Sequence, residues 1–378
     1  MSGIRCQASG KRAPGSLLAA GGVCGTRRFS GVFIVIYGIF LASVALLQPA
    51  RDVVTDTAKE AEHLANLRQV TFGLPRAGEG YFSPDGEWIV YQAYPIGYPF
   101  YQIYVQKLDE KTPRLISTGR GRTTCAYFSP DGKQIIFASS HTDPHIDQTE
   151  LKAREEAAQA GRRRYQWDFD PHMDIYVVNF DGTGMRRLTD APGYDAEGSF
   201  SPDGRQIVFT SSRDGDPDIF VMNADGSDVR QIVNASGYDG GPFFSPDGRW
   251  IIFRSDRQKE HMLQLFAVSV DGQTEVQLTS NLDEVSWCPY FHPSGKYLVW
   301  SKADYSRGPS SAHFNLFTME LSEVGGKLQG GAVTQITHST AADVLPVFSP
   351  DGKKLMWTST RTPDGSSQLW IADWLRGK

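Results

Sequence analysis

The sequence predicts an all-β fold: a six-bladed β-propeller closed by an N-terminal strand and preceded by one N-terminal transmembrane or signal helix. Three observations carry this. The phrase Phe-Ser-Pro-Asp-Gly begins at Phe82, Phe128, Phe200, Phe244 and Phe348, with the variant Phe-His-Pro-Ser-Gly at Phe291. The starts lie 46, 72, 44, 47 and 57 residues apart, and a period of about 45 residues with one turn signal per unit marks a repeat architecture. Finally, the last unit lacks a fourth strand at its end, while a matching segment stands before the first unit.

In chain order, residues 1–30 form a basic segment expected on the cytoplasmic side. Residues 1–51 hold Arg5, Lys11, Arg12, Arg27, Arg28 and Arg51 and no acid. Gly31 to Leu47 is an uncharged apolar run. At 17 residues it sits at the short limit of a membrane-spanning helix and the long limit of a signal-peptide core. Residues 31–50 are therefore read as an anchor or a cleaved signal. Both place the following chain in the periplasm or outside the cell, because the basic flank stays inside. Residues 51–66, rich in Ala and Glu, read as a helical linker, and residues 67–378 as the propeller.

The third unit shows why each repeat is a blade. Gly193 to Phe200 reads as a strand, Ser201-Pro-Asp-Gly204 as a turn, and Gln206 to Thr210 alternates as a second strand. Asp218 to Met222 and Val229 to Val233 follow as third and fourth strands, separated by Asn223-Ala-Asp-Gly226. Proline presets φ in such turns, aspartate bonds its own backbone and glycine takes positive φ. Four short antiparallel strands with tight turns make one blade. The sixth unit stops after its third strand at Gln368 to Ala372, and Leu67 to Phe72 matches the fourth strands elsewhere. Pairing those two segments would close the ring and remove its exposed edge.

Two insertions break the period. Residues 140–173 enlarge blade two, and Asp147 to Arg164 reads as a helix with acids leading and arginines trailing. Blade five carries longer Gly- and Ser-rich loops at 304–313 and 323–332. Cys125 and Cys288 each stand three residues before a repeat phenylalanine, in units that face one another across a ring of six. No disulfide is expected.

The overall formal charge is −5, so residues beyond 51 carry a net −11. That balance argues against a nucleic-acid partner. The acids before each inner strand are the leading candidate site. Glu79 and Glu197 stand three residues before the phenylalanine, Asp195, Asp239 and Asp343 stand five before it, and Glu284 lies nearby in blade five. Gathered at one channel mouth they would bind Ca²⁺ or a basic peptide; the alternative is a solvated rim. His141, His145 and His172 carry donor types suited to a metal, but Pro144 breaks any helix that would align the first two. No Gly-x-Ser-x-Gly elbow and no phosphate-binding Gly-x-x-x-x-Gly-Lys-Ser/Thr loop occurs, so no catalytic residue is assigned.

The repeats resemble the TolB-type β-propeller, best in Phe200-Ser-Pro-Asp-Gly, Ile207-Val-Phe-Thr-Ser, Arg213-Asp-Gly and Asp218-Ile-Phe-Val-Met-Asn-Ala-Asp-Gly-Ser227. The resemblance covers about residues 67–378 and lacks the α/β domain that precedes the TolB propeller. It implies a protein- or peptide-binding scaffold of the cell envelope. The rival expectation is an enzyme or carbohydrate-binding protein that uses the central funnel.

Overall fold

The computed structural model describes residues 53–159, 169–308 and 311–375. Both the basic segment 1–30 and the apolar segment 31–50 lie outside the described residues, as do Cys6 and Cys24. Among the described residues no helix is long and apolar enough to cross a membrane.

Six four-stranded antiparallel sheets form the propeller. Their innermost strands are Ala77–Phe82, Thr123–Phe128, Asp195–Phe200, Asp239–Phe244, Glu284–Phe291 and Asp343–Phe348. Each repeat phenylalanine thus ends an inner strand, and the following Ser-Pro-Asp-Gly turn leads to the second strand. In blade three Ser201 Oγ donates to Asp203 Oδ1 at 2.6 Å, the Arg205 N–H donates to the same oxygen at 3.0 Å, and the Gln206 N–H donates to Ser201 Oγ at 2.9 Å. Gly204 closes the turn at φ 71°. The same bonds recur at Asp85, Asp131, Asp247 and Asp351. In blade five His292 and Ser294 replace the serine–aspartate pair and bond each other at 2.8 Å.

The second strands supply the core. Ile207, Val208 and Phe209 are wholly buried, as are Ile251, Ile252 and Phe253 in the next blade. Alternate side chains enter the seams on either side of each sheet, so both faces are covered and both are apolar. Full burial of each such side chain is worth about 1.5–3 kcal/mol.

Blade six is completed from the other end of the chain. Leu64–Gln69 pairs antiparallel with Gln368–Trp374, with Leu64 opposite Trp374 and Gln69 opposite Trp370. The Val70 N–H continues the ladder to the Leu369 carbonyl at 2.8 Å. The strand starts three residues earlier than the sequence suggests, because Leu64 reaches the buried cluster of Phe348, Trp357 and Trp374. The linker is correspondingly less helical than expected. Only Thr57–Glu60 is a helix, and Glu60 is buried where Arg361 Nη2 and Nη1 donate to it at 2.7 and 2.9 Å.

Both insertions differ from expectation in detail. The blade-two helix runs Ile146–Gln159, and residues 160–168 lie outside the description. It is held to the propeller by polar contacts: Arg120 Nε and Tyr98 Oη both donate to Glu150, at 2.8 and 2.7 Å. In blade five the expected loop at 323–332 is instead part of a long hairpin, Asn315–Val324 with Lys327–Gln335. Gly325 and Gly326, both at positive φ, form its two-residue turn.

Candidate functional site

Every inner strand carries a β-bulge at the same register. At its centre stand Glu79, Cys125, Glu197, Gly241, Cys288 and Leu345, all in the left-handed region with φ between 45° and 61°. Five of the six are not glycine, and each such residue costs about 1–2 kcal/mol. A bulge bends the strand and re-aims a side chain; here it turns six residues toward the propeller axis.

This ring lines a central pocket of about 350 Å³. Its walls also include Arg76, Gln92, Tyr101, Arg254, Trp287, Phe314 and Thr358. The floor is aromatic. Tyr81 lies 5.1 Å from Tyr127 and 5.6 Å from Phe243, ring centre to ring centre, and Phe243 lies 5.2 Å from Tyr290. The Tyr127 and Tyr290 hydroxyls share a hydrogen bond of 3.1 Å. Beyond this floor a second cavity, lined by the repeat phenylalanines and turn prolines, opens at the opposite face. The pocket therefore communicates with one mouth, the one carrying the loops between second and third strands.

Blade four supplies the only arginine that reaches the axis from a second strand among the described residues. Arg254 pairs in the sheet with Gly240, and its side chain crosses the space that Gly241 leaves open: a Cβ there would stand 1.9 Å from Nη1. At Gly240 a Cβ would meet the Tyr238 hydroxyl at 2.1 Å. The glycine pair thus makes room for Tyr238 and Arg254 to reach Glu197. Arg254 Nη2 donates to Glu197 Oε1 at 3.0 Å and to the Tyr238 hydroxyl at 2.7 Å. The same carboxylate also accepts from Thr210 Oγ1 at 3.0 Å, the Tyr238 hydroxyl and the Gly241 N–H. Glu197 is therefore saturated.

Glu79 is not. The Tyr81 hydroxyl donates to it at 3.5 Å, the Cys125 thiol lies within hydrogen-bond reach, and no ion pair holds it. Burial pushes its carboxyl up to about 7, the Cys125 thiol opposing this and the Glu197 charge adding to it. Burial also raises the thiols of Cys125 and Cys288 well above their ordinary range. Both cysteines are free and both line the pocket.

The register of aspartates five before the phenylalanine does not converge on the axis. Asp195, Asp239 and Asp343 lie outside the pocket wall, each held by an arginine of its own blade. Arg213 Nη2 reaches Asp195 at 3.0 Å, and Arg257 Nη2 reaches Asp239 at 2.8 Å. Arg361 joins Asp343 to Glu60. The bulge explains the difference: its extra residue changes the alternation, so positions five and three before the phenylalanine fall on opposite faces. The acids that reach the axis are Glu79 and Glu197. Glu284 pairs with Lys302 Nζ at 3.0 Å and stands apart from the pocket wall.

The histidines do not assemble either. His141 rests on Ser139 and the Tyr176 ring, and His172 lies 3.6 Å from Asp143. Among the described residues no group of three or more His, Cys, Asp or Glu is arranged to hold a metal ion. Glu79, Asp195, Glu197, Asp239, Glu284 and Asp343, expected to hold Ca²⁺ in the channel, form no such group.

Sequence reasoning missed Arg254, Arg76, Gln92 and Trp287. One signal was present: Arg254 interrupts the buried second strand Trp250–Ser255, where the equivalent positions are Gln92, Ala138, Thr210, Ser301 and Thr358. It does so thirteen residues after the second glycine of a Gly-Gly pair in an inner strand.

Fold and site define a six-bladed β-propeller with an axial pocket closed at one end. Residues 167–308 match the TolB beta propeller domain. A stretch of 44 residues is 54% identical to the Tol-Pal system protein TolB of Bordetella pertussis, covering 11% of this chain and 10% of that protein. Another of 49 residues is 47% identical to the protein TolB homolog of Chlorobium luteolum, covering 13% and 11%. The chain thus spans about a tenth of the length of the curated relatives it matches. Among solved structures, a putative TolB from Agrobacterium tumefaciens superposes with a TM-score of 0.53 at 20% identity, covering 82% of this chain and 97% of that one. TolB from Acinetobacter baumannii gives 0.50 at 18%, covering 80% and 64%. Residues 167–308 thus carry a TolB-type β-propeller domain, and the described chain shares the TolB propeller fold.

Proposed function

We propose that the protein is an exported, membrane-anchored scaffold of the cell envelope whose pocket-bearing mouth holds a protein or peptide. The observation that carries this reading is the axial pocket: about 350 Å³, open toward one mouth and floored by packed aromatics. Its walls are inner strands of six sheets, so the site is rigid before any partner arrives, and preorganisation of this kind lowers the cost of binding. The Tol-Pal name of the short-range relatives supports an envelope setting, and Gly31 to Leu47 supports export.

A photo-crosslinking residue placed at Arg76 or Ile96, beside this mouth, should trap a partner in cells. The same residue at Lys133, on the turn face, should trap none. Equal trapping from both faces, or from Lys133 alone, would remove the mouth from the proposal. A reporter fused after Lys378 should be active outside the cytoplasm; activity confined to the cytoplasm would remove export.

A second reading is favoured by Tyr101, Trp287 and Phe314 in the pocket wall, since aromatic faces also suit a carbohydrate ligand. Oligosaccharide binding that quenches Trp287 and blocks crosslinking at Arg76 would support it over the first.

A further inference from the structure

Four charged side chains line the pocket: Arg76, Glu79, Glu197 and Arg254. They differ in what remains free. Glu197 is saturated by its donors. Arg254 is engaged through Nη2 alone; neither Nη1 nor the buried Nε makes a hydrogen bond. Gln92, 5% exposed, uses its carbonyl oxygen to accept from Thr124, while its amide nitrogen donates to no protein group. Arg76 stands exposed at the rim with no ion pair. Glu79 has no cationic partner and is held near half-protonation at neutral pH.

The unspent polar groups are therefore mostly donors: one edge of a buried guanidinium, a buried carboxamide and a second guanidinium at the rim. Apart from the Glu79 carboxylate, the hydroxyl acceptors of the wall are engaged, as where Thr358 Oγ1 accepts from the Glu79 N–H at 2.9 Å and Thr360 Oγ1 from the Ala342 N–H at 2.9 Å. A cationic guest would have to approach two arginines to reach Glu79. An anionic guest meets free donors, and guanidinium–carboxylate pairing is among the stronger hydrogen-bonded contacts.

We propose that the axial pocket binds a carboxylate, its oxygens accepting from Arg254 and Gln92 at the axis and from Arg76 at the rim, with an apolar or aromatic body against Tyr101, Trp287 and Phe314. This rests on the reading that the pocket is the binding site, and it gives the ligand the sign opposite to that expected from the acidic register. The carboxylate belongs either to a small organic acid or to the end of a peptide chain. Glu79 tunes the site. When protonated it adds a donor; when ionised it repels the guest. The groups facing it are Tyr81 on its own strand, Tyr101 beside it in blade one, Cys125 in blade two, Glu197 in blade three, Arg254 in blade four and Cys288 in blade five.

The test is titration of the whole protein with three related probes: N-acetyltyrosine, N-acetyltyrosinamide and tyramine. Tryptophan fluorescence and the melting temperature report binding. The acid should bind about tenfold to a hundredfold tighter than the amide, the worth of one hydrogen bond to a charged group. Tyramine should bind no better than the amide. Arg254→Lys should erase most of the preference. Arg76→Ala, an exposed change that leaves folding intact, should reduce it several-fold. Affinity for the acid should fall as pH rises through about 7, and Glu79→Gln should flatten that fall. Equal binding of acid and amide, or a preference for tyramine, overturns the proposal. Comparison of N-acetyltyrosine with acetyl-Ala-Ala-Ala-Tyr separates the sources: tighter binding of the peptide assigns a chain end, and equal binding a small acid. Crosslinking at the mouth without carboxylate binding would sink this inference and leave the scaffold reading standing. Carboxylate binding without crosslinking at the mouth would do the reverse.

Discussion

The two faces of the propeller solve the same six-fold problem in opposite ways. On the turn face, six loops use nearly one sequence and one set of hydrogen bonds, from Ser83 to Gly86 through Ser349 to Gly352. At the pocket ring, six residues share one left-handed backbone but carry Glu, Cys, Glu, Gly, Cys and Leu. The turn face repeats because each turn answers only to its own blade. The ring diversifies because its six side chains meet at one axis, where six identical large or charged groups would collide or repel. A repeat protein thus keeps its architecture in what recurs and its individuality in what does not.

The contrast is sharpest at Arg254. Arg254→Met leaves Glu197 buried without its cation, so the variant should lose about 3–5 kcal/mol of stability, the usual cost of breaking a buried pair. Adding Glu197→Gln should restore most of it. Urea unfolding measures both, and a single variant as stable as the parent would show that the ring tolerates charge as freely as a surface does.

Glu79 comes next. Its carboxyl titrates at about 7 in the folded chain against an ordinary value of 4.5. Between those values the native state binds more protons than the unfolded one, so stability from this group is intact below pH 4.5 and falls as pH rises toward 7. Glu79→Gln should therefore be stabilising by about 2–3 kcal/mol at pH 8 and neutral at pH 4. An unchanged pH profile would mean that Glu79 is better solvated than its burial implies.

On the turn face the effects should be smaller and alike. Asp85→Ala, Asp131→Ala, Asp203→Ala and Asp351→Ala should each cost about 0.5–1.5 kcal/mol, the net worth of a local hydrogen bond. Values that spread as widely as those at the ring would break the comparison. The smallest effect belongs to Arg76→Ala. Its stability should stay within about 0.5 kcal/mol of the parent, because an exposed side chain without a partner holds nothing in place.

Blade number, strand order and the closing strand were legible because each depends on local chemistry repeated along the chain. Pro-Asp-Gly makes a turn wherever it stands, alternation makes a half-buried strand, and an unpaired edge must find the one segment that fits it. The closing segment pairs with the strand expected, Arg68 opposite Ile371 and Gln69 opposite Trp370, but the strand begins three residues earlier because Leu64 enters the blade-six core, a contact that no local signal announces. The site was legible only in part. Glu79 and Glu197 were marked by position, and they reach the axis. Asp195, Asp239 and Asp343 were marked equally well by position, yet the bulge sends them to their own arginines.

The sequence by itself determined that six blades form and where each turns, because those outcomes are settled within a few residues of chain. Tertiary structure alone decided which side chains share the axis and which charges stay free there. Arg254 reaches Glu197 across 57 residues of sequence, through a gap left by Gly240 and Gly241. Whether a buried carboxylate is neutralised, protonated or available to a ligand depends on the groups that closure of the ring brings within hydrogen-bond distance.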